Sequence, residues 1–166
     1  MKIADIKAFP ISFKVPKGTG VRLGIGLAVK RDAVLIKVTT DEGIIGWGEA
    51  HHGRCPGAIA KLVDTTFKEL LIGMDALNTI DVWKKIYKMQ LSSHGMGYAS
   101  TMALSGIDIA LWDWNSKKAR LQLKELLGLP TPKTPTSITV GINPPEVVKE
   151  RVEMILTNPD VKALKV

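Results

Sequence analysis

The sequence predicts an α+β fold: a three-stranded antiparallel sheet, a bundle of helices, and then the first strand–helix–strand unit of a parallel β/α structure. Three observations predict it. Apolar runs of strand type fill the first fifty residues, helical periodicity begins near residue 57, and a proline-rich segment precedes a final strand–helix–strand pattern. We therefore expect a first domain over residues 1–128, a linker over 129–135 and an incomplete second domain over 136–166.

The sheet is predicted from three apolar runs. Residues 2–13 alternate loosely, and a short Asp41-Glu42-Gly43 segment joins residues 33–40 to residues 44–50. Such a connection between two apolar runs is typical of a β-hairpin. Residues 14–31, which separate the first two strands, contain four glycines and match neither the P-loop nor the dinucleotide-binding spacing. This segment is predicted to be a loop with backbone freedom that acts as a lid rather than a phosphate cradle.

Apolar residues at three- and four-residue spacing predict the helices. The linker follows them, because three prolines in the seven residues 129–135 cannot be accommodated in a helix. One strand–helix–strand unit cannot bury both faces of its sheet, so the second domain is expected to be unfinished. The predicted helices cover residues 59–71, 80–91, 98–118, 121–127 and 146–156, and the last two strands cover residues 137–142 and 161–166.

Composition narrows the functional classes. The net charge is +7, but the basic residues are scattered and only 5% of residues are aromatic, so nucleic-acid binding is not expected. No apolar run approaches the roughly 18 residues of a membrane span, and the first ten residues lack a signal-peptide core. The single cysteine, Cys55, fits a reducing compartment, so a cytoplasmic location is predicted.

Two long motifs resemble a known family. Residues 103–117 (ALSGIDIALWDWNSK), followed by residues 123–128, resemble a signature of the mandelate racemase/muconate lactonizing enzyme family of the enolase superfamily. The hairpin of residues 39–50 resembles the same family's capping domain. The resemblance implies an α+β capping domain followed by the start of a (β/α) barrel, in a chain that ends before its metal ligands.

The resemblance also implies an activity for the whole enzyme. Members of the superfamily use a Lys or His base and Mg²⁺ to abstract a proton next to a carboxylate. We expect a racemase or an acid-sugar or hydroxy-acid dehydratase that acts on a small carboxylate substrate and forms a homo-oligomer. The alternative is a dipeptide epimerase, which residues 137–145 resemble more closely. The 166 residues alone are expected to be inactive, and a non-catalytic capping-domain fragment or interaction module is the competing class.

Lys165 is the one catalytic residue that the resemblance implies. The family's base motif is Lys-x-Lys on the second barrel strand, and residues 163–166 (ALKV) match its first Lys and the following residue. From the sequence itself, a Lys in an apolar terminal strand is either a buried site residue or a solvated end. The Mg²⁺ ligands are expected on later strands, so no metal ligand is assigned in this chain.

Five further residues are predicted to bind substrate. Arg22 lies in the glycine-rich loop, and Arg suits a carboxylate through its bidentate fork. His51, His52 and Arg54 follow the hairpin, and Thr139 lies in the first barrel strand. Because neighbouring residues on a strand point to opposite faces, the two histidines are not expected to ligate one metal together. An unpartnered loop His and an ordinary strand Thr are the structural alternatives.

Other chemistry-bearing residues receive structural predictions. Cys55 has no neighbouring base in the sequence, so it is not expected to be a nucleophile. His94 is predicted to lie at a helix C-terminus. Asp108 and Asp113 are five residues apart and so do not share a helix face, which favours capping or ion-pair roles for both.

Overall fold

The computed structural model describes residues 1–18, 20, 22–24, 26–93, 95–129 and 136–165. His94, Val166 and residues 130–135 of the predicted linker lie outside the described residues. The chain forms two compact units. The first unit is Met1–Ser12 with Asp32–Pro130, and the second unit is Phe13–Arg31 with Thr131–Val166.

Seven strands and six helices are present in the described part of the chain. The strands are β1 (Ile3–Lys14), β2 (Arg22–Leu23), β3 (Gly26–Leu27), β4 (Lys30–Thr40), β5 (Ile45–Ala50), β6 (Ile138–Thr139) and β7 (Leu164–Lys165). The helices are α1 (Pro56–Leu62), α2 (Lys68–Leu71), α3 (Thr79–Ser93), α4 (Tyr98–Ala119), α5 (Leu123–Leu126) and α6 (Pro145–Leu156).

The first unit is built on an antiparallel sheet in the order β1-β4-β5. Alternate residues of β4 and β5 are buried on the inner face, and the long helix α4 packs against that face. Its core is closed by buried residues of the helices α1 to α4. The predicted three-stranded sheet followed by helices is therefore confirmed. The largest fully buried side chains of this core include Trp114, Phe67, Ile6, Ile36, Leu71 and Ile107.

Glycines allow α4 to lie directly on β5. A Cβ atom at Gly48 would lie 2.2 Å from the carbonyl oxygen of Gly106, and one at Gly46 would lie 2.0 Å from that of Ala110. Real Cβ atoms do not approach backbone atoms so closely, so both strand positions require glycine. The Gly-Trp-Gly sequence of the hairpin is thus a consequence of helix-on-strand packing.

A wide helical turn, Val63–Phe67, joins α1 to α2. The buried residues Ile59, Val63, Phe67 and Leu71 recur every four residues. Since an α-helix has 3.6 residues per turn, such a stripe drifts around the helix surface unless one turn is wider. The π-helical turn keeps the stripe facing the core, whereas the periodicity alone predicted an unbroken helix.

The second unit contains a short hairpin, β2–β3, and the parallel pair β6–β7. The predicted loop of residues 14–31 therefore includes a two-residue ladder. The barrel strands are also shorter than predicted. Gly141 has a φ of +83°, which ends β6, and the Val161 amide donates to Asn158 O in a turn that delays β7. No helix among the described residues is both long and apolar enough to span a bilayer.

Candidate active-site edge

Two predicted site residues, Thr139 and Lys165, are paired across the parallel strands of the second unit. Their Cα atoms are direct partners in the β6–β7 register. Thr139 is the last residue of β6 and Lys165 the last of β7, and both side chains are exposed. Laterally paired residues of adjacent strands point to the same face of a sheet and lie about 4.8 Å apart. The hydroxyl and the amine thus share one face at the carboxyl edge of the pair.

The strand end beside Thr139 is held by hydrogen bonds to Val140. The Val140 amide donates to Lys165 O at 2.9 Å, which extends the ladder past the last strand residue. The Val140 carbonyl accepts from Asn143 Nδ2 at 3.2 Å and from Arg151 Nη1 at 3.3 Å. Val140 is itself buried, so this polar cluster fixes the backbone directly after Thr139.

Arg22 belongs to the same unit. It is the first residue of β2, and its carbonyl accepts a hydrogen bond from the Ile142 amide at 3.4 Å. Ile142 follows Thr139 by three residues. The glycine-rich segment is therefore connected by its backbone to the loop that leaves β6.

The other three predicted residues, His51, His52 and Arg54, lie in the first unit. The rings of His51 and His52 stack with centroids 4.4 Å apart. The expectation that they point to opposite faces is wrong, because β5 ends at Ala50 and the chain turns through Gly53 and Arg54, both at positive φ. Each Nδ1 accepts a backbone N–H, from Gly53 at 3.1 Å and from Arg54 at 2.9 Å. These bonds leave only the Nε2 atoms for a ligand.

The described residues contain no group of three or more His, Cys, Asp or Glu side chains that could hold a metal ion. Cys55 is exposed and precedes α1. The ion-pair role predicted for Asp113 is confirmed, since it pairs with Lys117. For Asp108 the described contacts differ from the prediction: it accepts a hydrogen bond from the Trp112 side chain, and burial raises the pKa of its carboxyl group despite that bond.

This chain is similar in sequence to known proteins. Residues 10–128 match the sequence model of the family described as "Mandelate racemase / muconate lactonizing enzyme, N-terminal domain". The chain belongs to this family. A hydrophobic dipeptide epimerase of a Flavobacteria bacterium (strain MS024-2A) is 39% identical over 127 residues, which cover 75% of this chain and 34% of the relative. A D-galactonate dehydratase family member of Paenibacillus sp. (strain JDR-2) is 37% identical over 95 residues, covering 57% and 23%.

A solved structure extends the match beyond the family's N-terminal domain. It is a member of the enolase superfamily from Polaromonas sp. JS666, with 43% identity and a TM-score of 0.87. The match covers 95% of this chain and 42% of the solved one. The chain thus spans about a third of the first relative and two fifths of this solved chain.

Membership in the mandelate racemase/muconate lactonizing enzyme family draws attention to the carboxyl ends of β6 and β7. Barrel active sites lie at the carboxyl ends of the strands, and Thr139 and Lys165 occupy that edge of the β6–β7 pair. Their catalytic and substrate-binding roles stay predictions, as do those of Arg22, His51, His52 and Arg54.

Sequence reasoning missed the two residues that hold the edge, Asn143 and Arg151. The sequence indicated only that Asn143 precedes the two prolines at the start of α6, and not that its side chain binds Val140 O. Arg151 follows Val140 by 11 residues and reaches it from the helix, so no spacing rule within one element indicates the contact.

Proposed function

We propose that this chain is the N-terminal part of a Mg²⁺-dependent enolase-superfamily enzyme that abstracts a proton next to a substrate carboxylate. The observation that carries the proposal is the pairing of Thr139 with Lys165 at the carboxyl edge of parallel strands. An amine and a hydroxyl on one face can accept a proton and donate a hydrogen bond to the same small molecule.

The chemistry explains why a lysine suits this position. A proton next to a carboxylate is very weakly acidic, so its removal requires a base together with stabilisation of the negative charge that develops. In this proposal the Lys165 amine takes the proton and the Thr139 hydroxyl orients the substrate. Mg²⁺ would stabilise the charge, but the described residues offer no metal-binding cluster. We assign the metal to the complete enzyme, with ligands outside this chain.

Dipeptide epimerisation is the first candidate reaction. The dipeptide epimerase relative is 39% identical to this chain over 127 residues, which are three quarters of the chain. The second candidate is dehydration of an acid sugar, favoured by the similarity to a D-galactonate dehydratase family member over a shorter stretch. Both reactions begin with the same proton abstraction, so residues of this chain serve either one.

Isotope exchange tests the proposal. The gene is extended in frame beyond the codon for Val166, and the resulting protein is incubated in D₂O with Mg²⁺ and either hydrophobic dipeptides or acid sugars. We expect deuterium at the α-carbon of one substrate class by mass spectrometry, and loss of that exchange in Lys165→Met. Formation of a keto acid identifies a dehydratase, whereas exchange with inversion identifies an epimerase.

The 166-residue chain without the extension is the negative control for this experiment. We propose that they exchange no α-proton under the same conditions, because the metal ligands are assigned elsewhere. A stop codon directly after Val166, or an extended protein that exchanges neither substrate class, contradicts the catalytic proposal and favours a non-catalytic module. The cytoplasmic location remains a prediction that cell fractionation tests.

A further inference from the structure

Val140 links the candidate base to side chains outside the two barrel strands. Its amide donates to Lys165 O at 2.9 Å. Its carbonyl accepts hydrogen bonds from Asn143 Nδ2 at 3.2 Å and from Arg151 Nη1 at 3.3 Å. Only 4% of Val140 is exposed, and the chain turns away at Gly141, whose φ is +83°. The backbone that bonds to Lys165 directly after β6 is therefore held by two side-chain donors.

The bond from Arg151 is more than this carbonyl requires. A buried carbonyl group needs one hydrogen-bond partner, and the neutral amide of Asn143 supplies it from three residues away. Arg151 adds a charged donor from α6. Hydrogen bonds from charged groups are about twice as strong as those between neutral groups. The second bond thus fixes the carbonyl more firmly than its satisfaction demands.

Arg151 is also an exception on its helix. The half-buried residues of α6 recur at three- and four-residue spacing, which marks one face of the helix. An arginine on such a face loses contact with water, so its donors need partners within the protein. The Val140 carbonyl is such a partner. The half-buried residues of this face are Val147, Val148, Arg151, Val152 and Ile155.

We propose that Arg151, together with Asn143, positions Lys165 for proton abstraction, an inference that rests on the proposed function. The two donors fix the Val140 carbonyl, and the amide of the same residue holds the Lys165 carbonyl. The Lys165 backbone is the fixed point from which the amine reaches the substrate. Proton transfer requires close alignment of the base with the reacting carbon, and small displacements slow it strongly. Arg151 and Asn143 act through the backbone and do not touch the substrate.

A primary isotope effect tests this role in the enzyme extended in frame beyond Val166. Product formation is measured in H₂O with α-protiated and α-deuterated forms of the substrate class that the parent exchanges. We expect Arg151→Met to lower kcat by about tenfold or more and to raise the isotope effect, because proton transfer becomes more fully rate-limiting. Arg151→Lys keeps a cationic donor and should recover part of both changes.

The isotope effect separates positioning from a structural role. Partial unfolding reduces the amount of active enzyme, which lowers kcat and leaves the isotope effect unchanged. Asn143→Leu removes the other donor and should raise the isotope effect by less, since a neutral amide is the weaker donor. This variant decides the inference if Arg151→Met does not fold. Lys149→Met is the matched control, because it removes a positive charge from the exposed side of α6 and should change neither quantity.

Two failures are distinguishable. If the parent is active and the folded Arg151→Met and Asn143→Leu enzymes keep its isotope effect, the positioning role is overturned and the proposed function stands. An extended parent that exchanges neither substrate class contradicts the proposed function and this inference with it.

Discussion

The two units of this chain differ in how far their own residues can stabilise them. The first unit contains all but one of the buried apolar residues in the described ranges, and Val140 is the exception. In the second unit α6 has no buried residue and each barrel strand has two residues. Since apolar burial is the main favourable term in folding, the first unit is expected to be stable and the second marginal. Four substitutions test this difference between the two units.

Gly48→Ala should have the largest effect. Its Cβ would lie 2.2 Å from Gly106 O and 2.7 Å from Ala110 N, both of which are backbone atoms that cannot rotate away. We expect a loss of about 3 kcal/mol or more in the free energy of unfolding, measured by urea denaturation.

The control for that substitution is Gly57→Ala in α1, where an added Cβ meets nothing within 4 Å. It should stabilise the chain by about 0.5–1 kcal/mol, because alanine loses less backbone entropy than glycine in a helix. Equal effects at the two positions would show that close packing of α4 on β5 does not determine the stability of the first unit.

Thr40→Val should destabilise the first unit by about 1–3 kcal/mol. The buried Trp114 Nε1–H donates to Thr40 Oγ1 at 3.2 Å, and valine keeps the shape while removing the acceptor. Thr40→Ser restores an acceptor and should recover part of the loss. Thermal unfolding of the two variants measures the difference, and a neutral Thr40→Val would contradict it.

Arg151→Met tests the second unit alone. Losing the donor to Val140 O should lower the free energy of local unfolding by about 1 kcal/mol. Amide exchange at Ile138 and Val140 should therefore become about fivefold faster. Amides of the first unit should not change. Lys149→Met on the exposed side of the same helix is the control. Faster exchange throughout the chain would mean that the two units unfold together.

Asp108→Asn should have the smallest effect, and it depends on pH. Burial raises the pKa of the Asp108 carboxyl group above its ordinary value of 3.8. Ionisation therefore costs stability, which falls as pH rises from about 3.8 through the higher folded-state pKa and is constant above it. The variant should melt at a slightly higher temperature than the parent at neutral pH and at the same temperature below pH 3.8. A lower melting temperature at neutral pH would contradict this.

The difference in apolar burial between the two units also explains which elements could be predicted from the sequence. Strands and helices of the first unit follow from local periodicity, because each buries one face against a complete core. The barrel strands were predicted too long, because the positive φ of Gly141 ends the first strand and the Asn158–Val161 turn delays the second. The wide turn at Val63–Phe67 was missed because a four-residue repeat fits a helix nearly as well.

The candidate site was predictable in part. The side-by-side placement of Thr139 and Lys165 follows from two parallel strands, although only the resemblance drew attention to these residues. The orientation of His51 and His52 was not predictable by strand alternation, because the alternation stops at Ala50. Arg151 reaches Val140 through tertiary structure, which no local pattern contains.

The hydrogen bonds at the two edge strands of the first sheet have a consequence for folding during protein synthesis. Along β1, the Ala8 amide donates to Asp64 Oδ1 at 2.7 Å, and Ile3 exchanges hydrogen bonds with Gly73 and Met74. Along β5, the Trp47 amide donates to Asp113 Oδ2 and Lys117 Nζ donates to Ile45 O.

All of these partners precede residue 118, so both edges can close while later residues are still inside the ribosome. Open strand edges are the usual starting points for aggregation, and domains tend to fold from the N-terminus during synthesis. We therefore expect these contacts to protect the edges of the nascent chain from aggregation before β6 and β7 emerge.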